Sequence, residues 1–430
     1  MSLRSRLDRA LGGAAKDHPA QDRPGELRER LERIAGRAVE ASRKTGPSHD
    51  PGEEALGGEI FAGGQGSFVL VRNTFPESYF HGTLPLGAIR AISPRIVSML
   101  TKESFPCAPG ECIFIDTETT GLAGGAGTVA FLVGVGFFSE GAFHLHQYFM
   151  RDYHEEKAML SHLREVLASA RGFVSFNGKA YDVPLIEERY VLNRTRTNLR
   201  GLPHLDLLYP SRRLFKGLFD DCRLKTLEVK VLGMAPREDD IESFLIPQCY
   251  FDFVRSGRTA MMKKILSHNR LDIITLVALT AHIGRLLSDP LASPDAHLAK
   301  VGRFHRESGD RCMGTACLEE AVKRGREGES FEAALHLSLH YRREGRLDEA
   351  ASLWHAMIEE HRSQDPFPFI ELAKYYEHRL KDPGRALEVL ARLKYQASAH
   401  SPRFLKELAR RESRLEQKAA AGKSRLNDHF

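Results

Sequence analysis

Two carboxylates stand two residues apart at the end of a short apolar run. Residues 112–122 read CIFIDTETTGL, and the carboxylates are Asp116 and Glu118. The apolar run predicts a buried β-strand, and alternate side chains of a strand share one face. Two buried like charges are unfavourable unless cations neutralise them, so the pair favours a site for Mg²⁺ or Mn²⁺, which prefer oxygen ligands. The alternative is a strand that ends in a solvated turn, with Thr119 as a helix cap.

A third carboxylate follows another predicted strand, at residues 172–176. Residues 176–182 read FNGKAYD, in which the Asn-Gly pair predicts a turn. A helix is predicted from residue 181 onward, so Asp182 opens it. This order of strand, turn and helix brings Asp182 to the same end of the sheet as Asp116. The alternative is that Asp182 only caps its helix.

A histidine and a fourth carboxylate lie four residues apart in a predicted helix. Residues 267–274 read SHNRLDII, and His268 and Asp272 share one helical face at this spacing. Apolar residues on either side predict that the helix is mostly buried, so an aspartate on it needs a partner. The alternative is a structural pair formed by His268 and Asp272.

Composition restricts the classes of protein to which the chain can belong. Its 430 residues suffice for two or three domains, and 42% apolar with 28% charged residues is typical of a soluble globular protein. A net charge of +5 is too small to argue nucleic-acid binding by itself. Six cysteines without a Cys-x-x-Cys pair argue against a disulfide framework and a zinc site. We find no secretory signal and no apolar run near the ~20 residues of a membrane span, so we expect a cytoplasmic protein without a membrane partner.

The hydrophobic pattern divides the chain into four segments. Residues 1–57 form a mobile or helical leader, 58–290 an α/β domain, 296–411 an all-α domain and 412–430 a charged tail. In the second segment, three predicted strands precede strands that alternate with helices. This order predicts a mixed sheet flanked by helices, and three antiparallel strands followed by parallel ones is the ribonuclease H-like order.

Helical patterns alone follow residue 296. Ala316, Ala350 and Ala386 recur at intervals of 34 and 36 residues, which resembles tetratricopeptide repeats. Small residues at this period let paired helices approach closely. Such repeats would bind a protein partner. The alternative is an ordinary helical bundle.

The three carboxylate-bearing segments together resemble the DEDD (DnaQ-like) 3′→5′ exonuclease superfamily. Its pattern is Asp-x-Glu, then Asn-x-x-x-Phe/Tyr-Asp, then His or Tyr ahead of a final Asp. The chain is most similar to the YprB-type ribonuclease H-like family of that superfamily, over roughly residues 58–290. Further matching stretches are HLDLL at 204–208, LKTLE at 224–228, REDDI at 237–241 and IP at 246–247. One feature departs from the pattern, because His268 stands at the spacing of the tyrosine subclass.

The resemblance implies a metal-dependent nuclease, a 3′→5′ exonuclease that hydrolyses the phosphodiester bonds of DNA or RNA. Two Mg²⁺ or Mn²⁺ ions ~4 Å apart would neutralise charge on the entering and leaving oxygens. The implied metal ligands are Asp116, Glu118, Asp182 and Asp272. His268 would orient or deprotonate the attacking water. The alternative is a catalytically weak nucleic-acid-binding or scaffold protein that uses the helical repeats for protein interaction; the intact carboxylate set favours the enzyme.

Overall fold

The structure is a computed structural model that describes six stretches of the chain. These are residues 56–121, 127–293, 296–326, 328–359, 365–396 and 402–427. The predicted leader therefore lies outside the described residues except for its last two positions, and so do the last three residues of the charged tail.

A seven-stranded mixed sheet forms the centre of the molecule, with the strands in the spatial order β1-β2-β7-β6-β5-β8-β9. Two further strands, β3 and β4, lie outside this sheet. In chain order the strands are β1 (Glu59–Gly63), β2 (Gly66–Pro76), β3 (Phe80–His81), β4 (Leu84–Pro85), β5 (Ile113–Thr119), β6 (Ala130–Ser139), β7 (Ala142–Phe149), β8 (Phe173–Ser175) and β9 (His204–Asp206). Strands β5, β6 and β7 are antiparallel, whereas β8 pairs in parallel with β5 and β9 with β8. This order confirms the predicted ribonuclease H-like sheet. Strands β1 and β2 extend it beyond β7, and β3 pairs only with β4.

Helices cover the sheet and then continue alone to the end of the described chain. In the α/β domain they are α1 (Pro94–Thr101), α2 (Glu156–Leu167), α3 (Asp182–Leu192), α4 (Leu208–Phe215), α5 (Leu224–Lys230), α6 (Ile246–Ser256) and α7 (Ala260–Ser288). Beyond it are α8 (Leu298–Glu307), α9 (Arg311–Arg324), α10 (Glu329–Arg343), α11 (Leu347–Glu359), α12 (Pro366–His378), α13 (Pro383–Gln396) and α14 (Pro402–Asn427). An α/β domain followed by an all-α region is confirmed.

Alternation along β5 divides the core between the two faces of the sheet. Phe114 is buried in one apolar cluster, and Ile113 and Ile115 are buried in the other. Because side chains alternate along a strand, Asp116 and Glu118 share the face of Phe114, and Thr117 shares the opposite face. The end of β5 can therefore contact helices on both sides of the sheet.

Helix α7 crosses the sheet over β5 and β6 and carries the third predicted motif. Within the described residues it has the length and hydropathy to cross a membrane, but 72% of its most apolar window is buried inside the protein. Its apolar character is therefore accounted for by the core.

A glycine on β6 allows α7 to approach the sheet closely. Gly134 pairs with Asp116 across the β5–β6 ladder, and a Cβ atom on Gly134 would overlap the side-chain amide of Asn269 on α7. Asn269 is fully buried, so it has no open space into which to move. The missing side chain at Gly134 thus makes room for a polar residue of α7 beside Asp116.

Successive helices of the all-α region pack against one another, and the first of them, α8, packs on α4 and α7 of the α/β domain. Ala350 and Ala386 are fully buried, whereas Ala316 is half-buried, and Gly302 and Gly314 lie so close together that a Cβ atom on either would overlap the backbone of the other. Apolar residues of both regions belong to one continuous buried cluster. Two of the three alanines of the predicted period are thus buried, and the third is not the residue at the close contact of the first pair. The assignment of these helices to tetratricopeptide repeats stays a prediction.

Polar contacts also join the two regions, between α4 and α8. The guanidinium of Arg213 lies 3.6 Å from the ring centroid of Phe304, and it donates a 3.0 Å hydrogen bond to Glu307. A cation over an aromatic ring and an ion pair hold these two helices in a fixed orientation.

We expect Gly134→Ala to destabilise the protein by about 1–3 kcal/mol, because overpacking at a filled site forces its neighbours to shift. Chemical denaturation measures the change. Gly64→Ala is the matched control, since a Cβ atom there meets nothing within 4 Å. Equal stability of the two variants would contradict the close packing of α7 on β6.

Candidate active site

The five residues singled out in the sequence come together at the end of β5. Asp116 and Glu118 lie on β5, Asp182 is the first residue of α3, and His268 and Asp272 lie on α7. Nε2 of His268 is 3.7 Å from Oε1 of Glu118 and 3.5 Å from Oδ2 of Asp272. Helices on both faces of the sheet therefore supply side chains to one polar cluster.

Asp182 is held from β5 and by the turn that precedes α3. The hydroxyl of Thr117 donates a 2.5 Å hydrogen bond to Oδ1 of Asp182. Asp206, at the end of β9, accepts hydrogen bonds from the backbone N–H groups of Asn177 and Lys179. Asn177 has a left-handed φ of 70°, a conformation that asparagine tolerates better than most residues. Asp206 thus fixes the turn that delivers Asp182.

Burial and mutual repulsion raise the pKa values of three of the carboxyls. The pKa of Asp116 lies well above its usual range because the group is buried and because Asp272, Asp182 and Glu118 are close. The pKa of Glu118 is raised well above its usual range by burial and then by Asp272 and Asp182. Burial also raises the pKa of Asp182 to about 6, although the hydrogen bond from Thr117 lowers it. Folding therefore concentrates negative charge where solvent cannot screen it.

His268 is oriented by a carboxylate from the loop between α5 and α6. Nδ1 of His268 lies 2.6 Å from Oδ1 of Asp240, and Nζ of Lys225 is 2.7 Å from Oδ2 of Asp240. Although burial raises the pKa of Asp240, hydrogen bonds from Lys225 and His268 lower it to about 2. The ionised Asp240 accepts a hydrogen bond from the Nδ1–H group of His268, so Nε2 of His268 is left to accept a proton on the side of Glu118 and Asp272.

Two more polar side chains donate hydrogen bonds to Asp116 and Asp272. Nδ2 of Asn269 donates a 2.8 Å hydrogen bond to Oδ2 of Asp116, and its Oδ1 accepts one from Gln147. The Arg237 guanidinium donates to Oδ1 of Asp272 at 2.5 Å. Asn269 and Arg237 lie inside motif stretches of the sequence, but nothing in their spacing marks them as partners of particular carboxylates.

The donor set fits divalent metal ions by its chemistry. Within the described ranges, no three or more His, Cys, Asp or Glu side chains are already gathered around one point as metal ligands. Three carboxylates are instead turned toward protein donors on Asn269, Thr117 and Arg237. Buried carboxylate oxygens with raised pKa values are the ligands that hard cations neutralise. The residues that would hold such ions are Asp116, Glu118, Asp182 and Asp272.

Comparisons with known proteins support the same assignment of the fold. Residues 113–284 match the sequence model of the RNase_H superfamily. The chain is also similar to a Bacillus subtilis (strain 168) protein described as uncharacterized protein YprB. The two are 34% identical over 313 residues, which cover 71% of this chain and 74% of that protein. The superfamily match begins with β5 and ends within α7, so it includes every residue of the predicted site.

We expect Asp182→Asn to be more stable than the wild type at pH 8 in a chelator. A carboxyl whose pKa rises from 3.8 to about 6 on folding opposes folding when ionised, by roughly 3 kcal/mol at most. This penalty is present above pH 6 and disappears as the pH falls toward 4, because the folded state binds the proton first. Chemical denaturation at several pH values between 4 and 8 measures the advantage.

The control for this pH series is Asp239→Asn, which removes the same charge from a side chain that is 90% exposed. Its effect on the free energy of unfolding should change little between pH 4 and 8. An Asp182→Asn advantage that does not shrink on acidification would show that repulsion and burial do not act on this carboxyl.

Proposed function

Because the chain belongs to the ribonuclease H-like protein family that includes YprB, we propose that it is a metal-dependent nuclease. The observation that carries this proposal is the convergence of Asp116, Glu118, Asp182 and Asp272 beside His268 at one strand end. The reaction is hydrolysis of a phosphodiester: water attacks phosphorus, and the bond to the leaving oxygen breaks. When bound, two divalent cations would neutralise the charge that develops on the attacking and leaving oxygens.

The side chains of the site would have separate roles in this reaction. The four carboxylates would hold the cations, and the bound cations would relieve the repulsion among the carboxylates. Nε2 of His268 would accept the proton of the attacking water, because the Nδ1–H group donates its hydrogen bond to Asp240. Asp240 thereby keeps the imidazole in one orientation and one tautomer, as a carboxylate partner does for many functional histidines.

The exonuclease polarity rests on the resemblance of the motif set to the DEDD superfamily. We propose 3′→5′ removal of nucleotides, with DNA and RNA both as candidate substrates. Within the described ranges, the all-α region supplies none of the side chains at the site. It is therefore the part of the chain that we propose to bind a protein partner.

One observation favours a second function, that of a catalytically weak nucleic-acid-binding or scaffold protein. Arg237 already forms an ion pair with Asp272 without a metal ion. If this ion pair excluded cations, the fold would persist without useful hydrolysis. The nuclease assay separates the two functions.

We expect Asp116→Asn to lower hydrolysis of labelled oligonucleotides at least about 100-fold in Mg²⁺ or Mn²⁺, because it removes an anionic ligand from the shared cation site. Gel analysis with DNA and RNA, single- and double-stranded, measures cleavage. Asp239→Asn is the charge-matched control and should retain full activity. Binding without cleavage by the wild type on every substrate would favour the scaffold function.

A second assay tests polarity. With a 5′-labelled strand, 3′→5′ removal should give a ladder of progressively shorter labelled products, and a circular single strand of the same composition should stay intact. Cleavage of the circle would identify an endonuclease. Release of the 5′ label as a mononucleotide from the start would identify the opposite polarity.

A further inference from the structure

Arg237 is a buried cation at the edge of the carboxylate cluster, and the proposed hydrolysis mechanism assigns it no role. Its side chain is 8% exposed. Nε of Arg237 donates a 2.9 Å hydrogen bond to Oε2 of Glu228, and Nη2 donates to Oε1 of Glu228 as well as to Oδ1 of Asp272. The planar guanidinium therefore bridges Glu228 and Asp272, and its Nη1 lies 3.6 Å from Oδ2 of Asp240. Of these three carboxylates only Asp272 belongs to the predicted ligand set.

The Glu228 end of this bridge is fixed by a chain of buried polar groups. Thr275, one turn beyond Asp272 on α7, donates a 2.5 Å hydrogen bond to Oε1 of Glu228. The Thr275 hydroxyl lies 2.8 Å from Nε2 of His81, whose pKa falls to about 4 through burial and the charge of Arg237. A neutral His81 donates to Thr275, which in turn donates to Glu228. The position of Arg237 is thus fixed through Glu228 by Thr275 and His81.

The two oxygens of Asp272 face different partners. Oδ1 accepts from Arg237, and Oδ2 lies 3.5 Å from Nε2 of His268. Because Glu228 accepts two of the donated hydrogen bonds and carries one negative charge, it balances the charge of Arg237. The net field of the Arg237–Glu228 pair on a cation is therefore small, and the geometry that it imposes on Asp272 is the larger effect.

We propose that Arg237 is a positioning residue that holds Oδ1 of Asp272 and so presents Oδ2 as the ligand oxygen for a divalent cation. This inference rests on the proposed metal site and assigns a role to a residue outside the predicted ligand set. Hydrogen bonds to ligating carboxylates commonly tune metal affinity by 10–100-fold. Lysine cannot replace the planar fork, although it keeps the charge.

The test is isothermal titration of the full-length protein with Mn²⁺. We expect Arg237→Lys to raise the Mn²⁺ dissociation constant about 10-fold or more, and the double variant Arg237→Gln with Glu228→Gln to do the same. Both changes keep the net charge constant, so a purely electrostatic role predicts no effect. Arg237→Lys leaves Glu228 paired with a cation, and therefore carries the test if the double variant does not fold.

The matched control is the buried pair of Arg189 and Glu156, whose side chains are 13% and 10% exposed on α3 and α2. The corresponding substitutions there should leave the Mn²⁺ dissociation constant unchanged. In an Asp272→Asn background, Arg237→Lys should weaken binding no further, because the two residues act as one unit.

The outcomes separate the two proposals. Wild-type affinity in Arg237→Lys, or an effect that persists at full size in the Asp272→Asn background, would overturn the positioning role and leave the metal site standing. A wild-type protein that gives no Mn²⁺ binding and no cleavage would overturn the proposed function, and the positioning role with it.

Discussion

Repulsion among buried carboxylates is the constraint around which the centre of this molecule is built. Asp116 and Glu118 cannot leave the end of β5 without breaking its pairing with β6, and α3 and α7 bring two more carboxylates to them. The raised pKa values record the free energy that this arrangement costs in the absence of cations. The surrounding donors are best understood as partial compensation: each satisfies one carboxylate oxygen and leaves others available.

The compensation depends on close packing of the backbone. Asn269 reaches Asp116 because Gly134 leaves space on β6, and the turn before Asp182 depends on Asp206 and on the left-handed conformation of Asn177. Gly134, Asn269 and Asn177 are uncharged, yet they decide where the carboxylate oxygens point. A polar cluster of this kind therefore needs a rigid sheet and a long buried helix, since small displacements would cost the hydrogen bonds that make its burial tolerable.

The sequence was sufficient to predict the antiparallel strands β5 to β7, the parallel strands after them and the buried helix that carries His268 and Asp272, because these follow from hydrophobic periodicity and from motif order. The extension of the sheet by β1 and β2 does not follow from that pattern. Local signals failed where tertiary contacts decide the outcome. Ala316 matches the repeat period but is only half-buried, whereas Gly302 and Gly314 approach each other closely in the first helix pair. The leader, the domain boundaries and the functional roles at the site remain predictions.

Three of the partners that sequence reasoning missed come from one segment, which lies between β9 and α6. Glu228, Arg237 and Asp240 come from this segment, and their positions follow from contacts with α7 rather than from any repeating pattern. Loop residues have no periodicity by which a sequence can reveal their direction, so a buried aspartate in a loop looks like a solvated one. In three dimensions the same segment places an anion against His268 and a cation against Asp272. Two residues on one face of α7 thus have partners of opposite charge, and in the proposed function the first would accept a proton while the second would be held in place as a metal ligand.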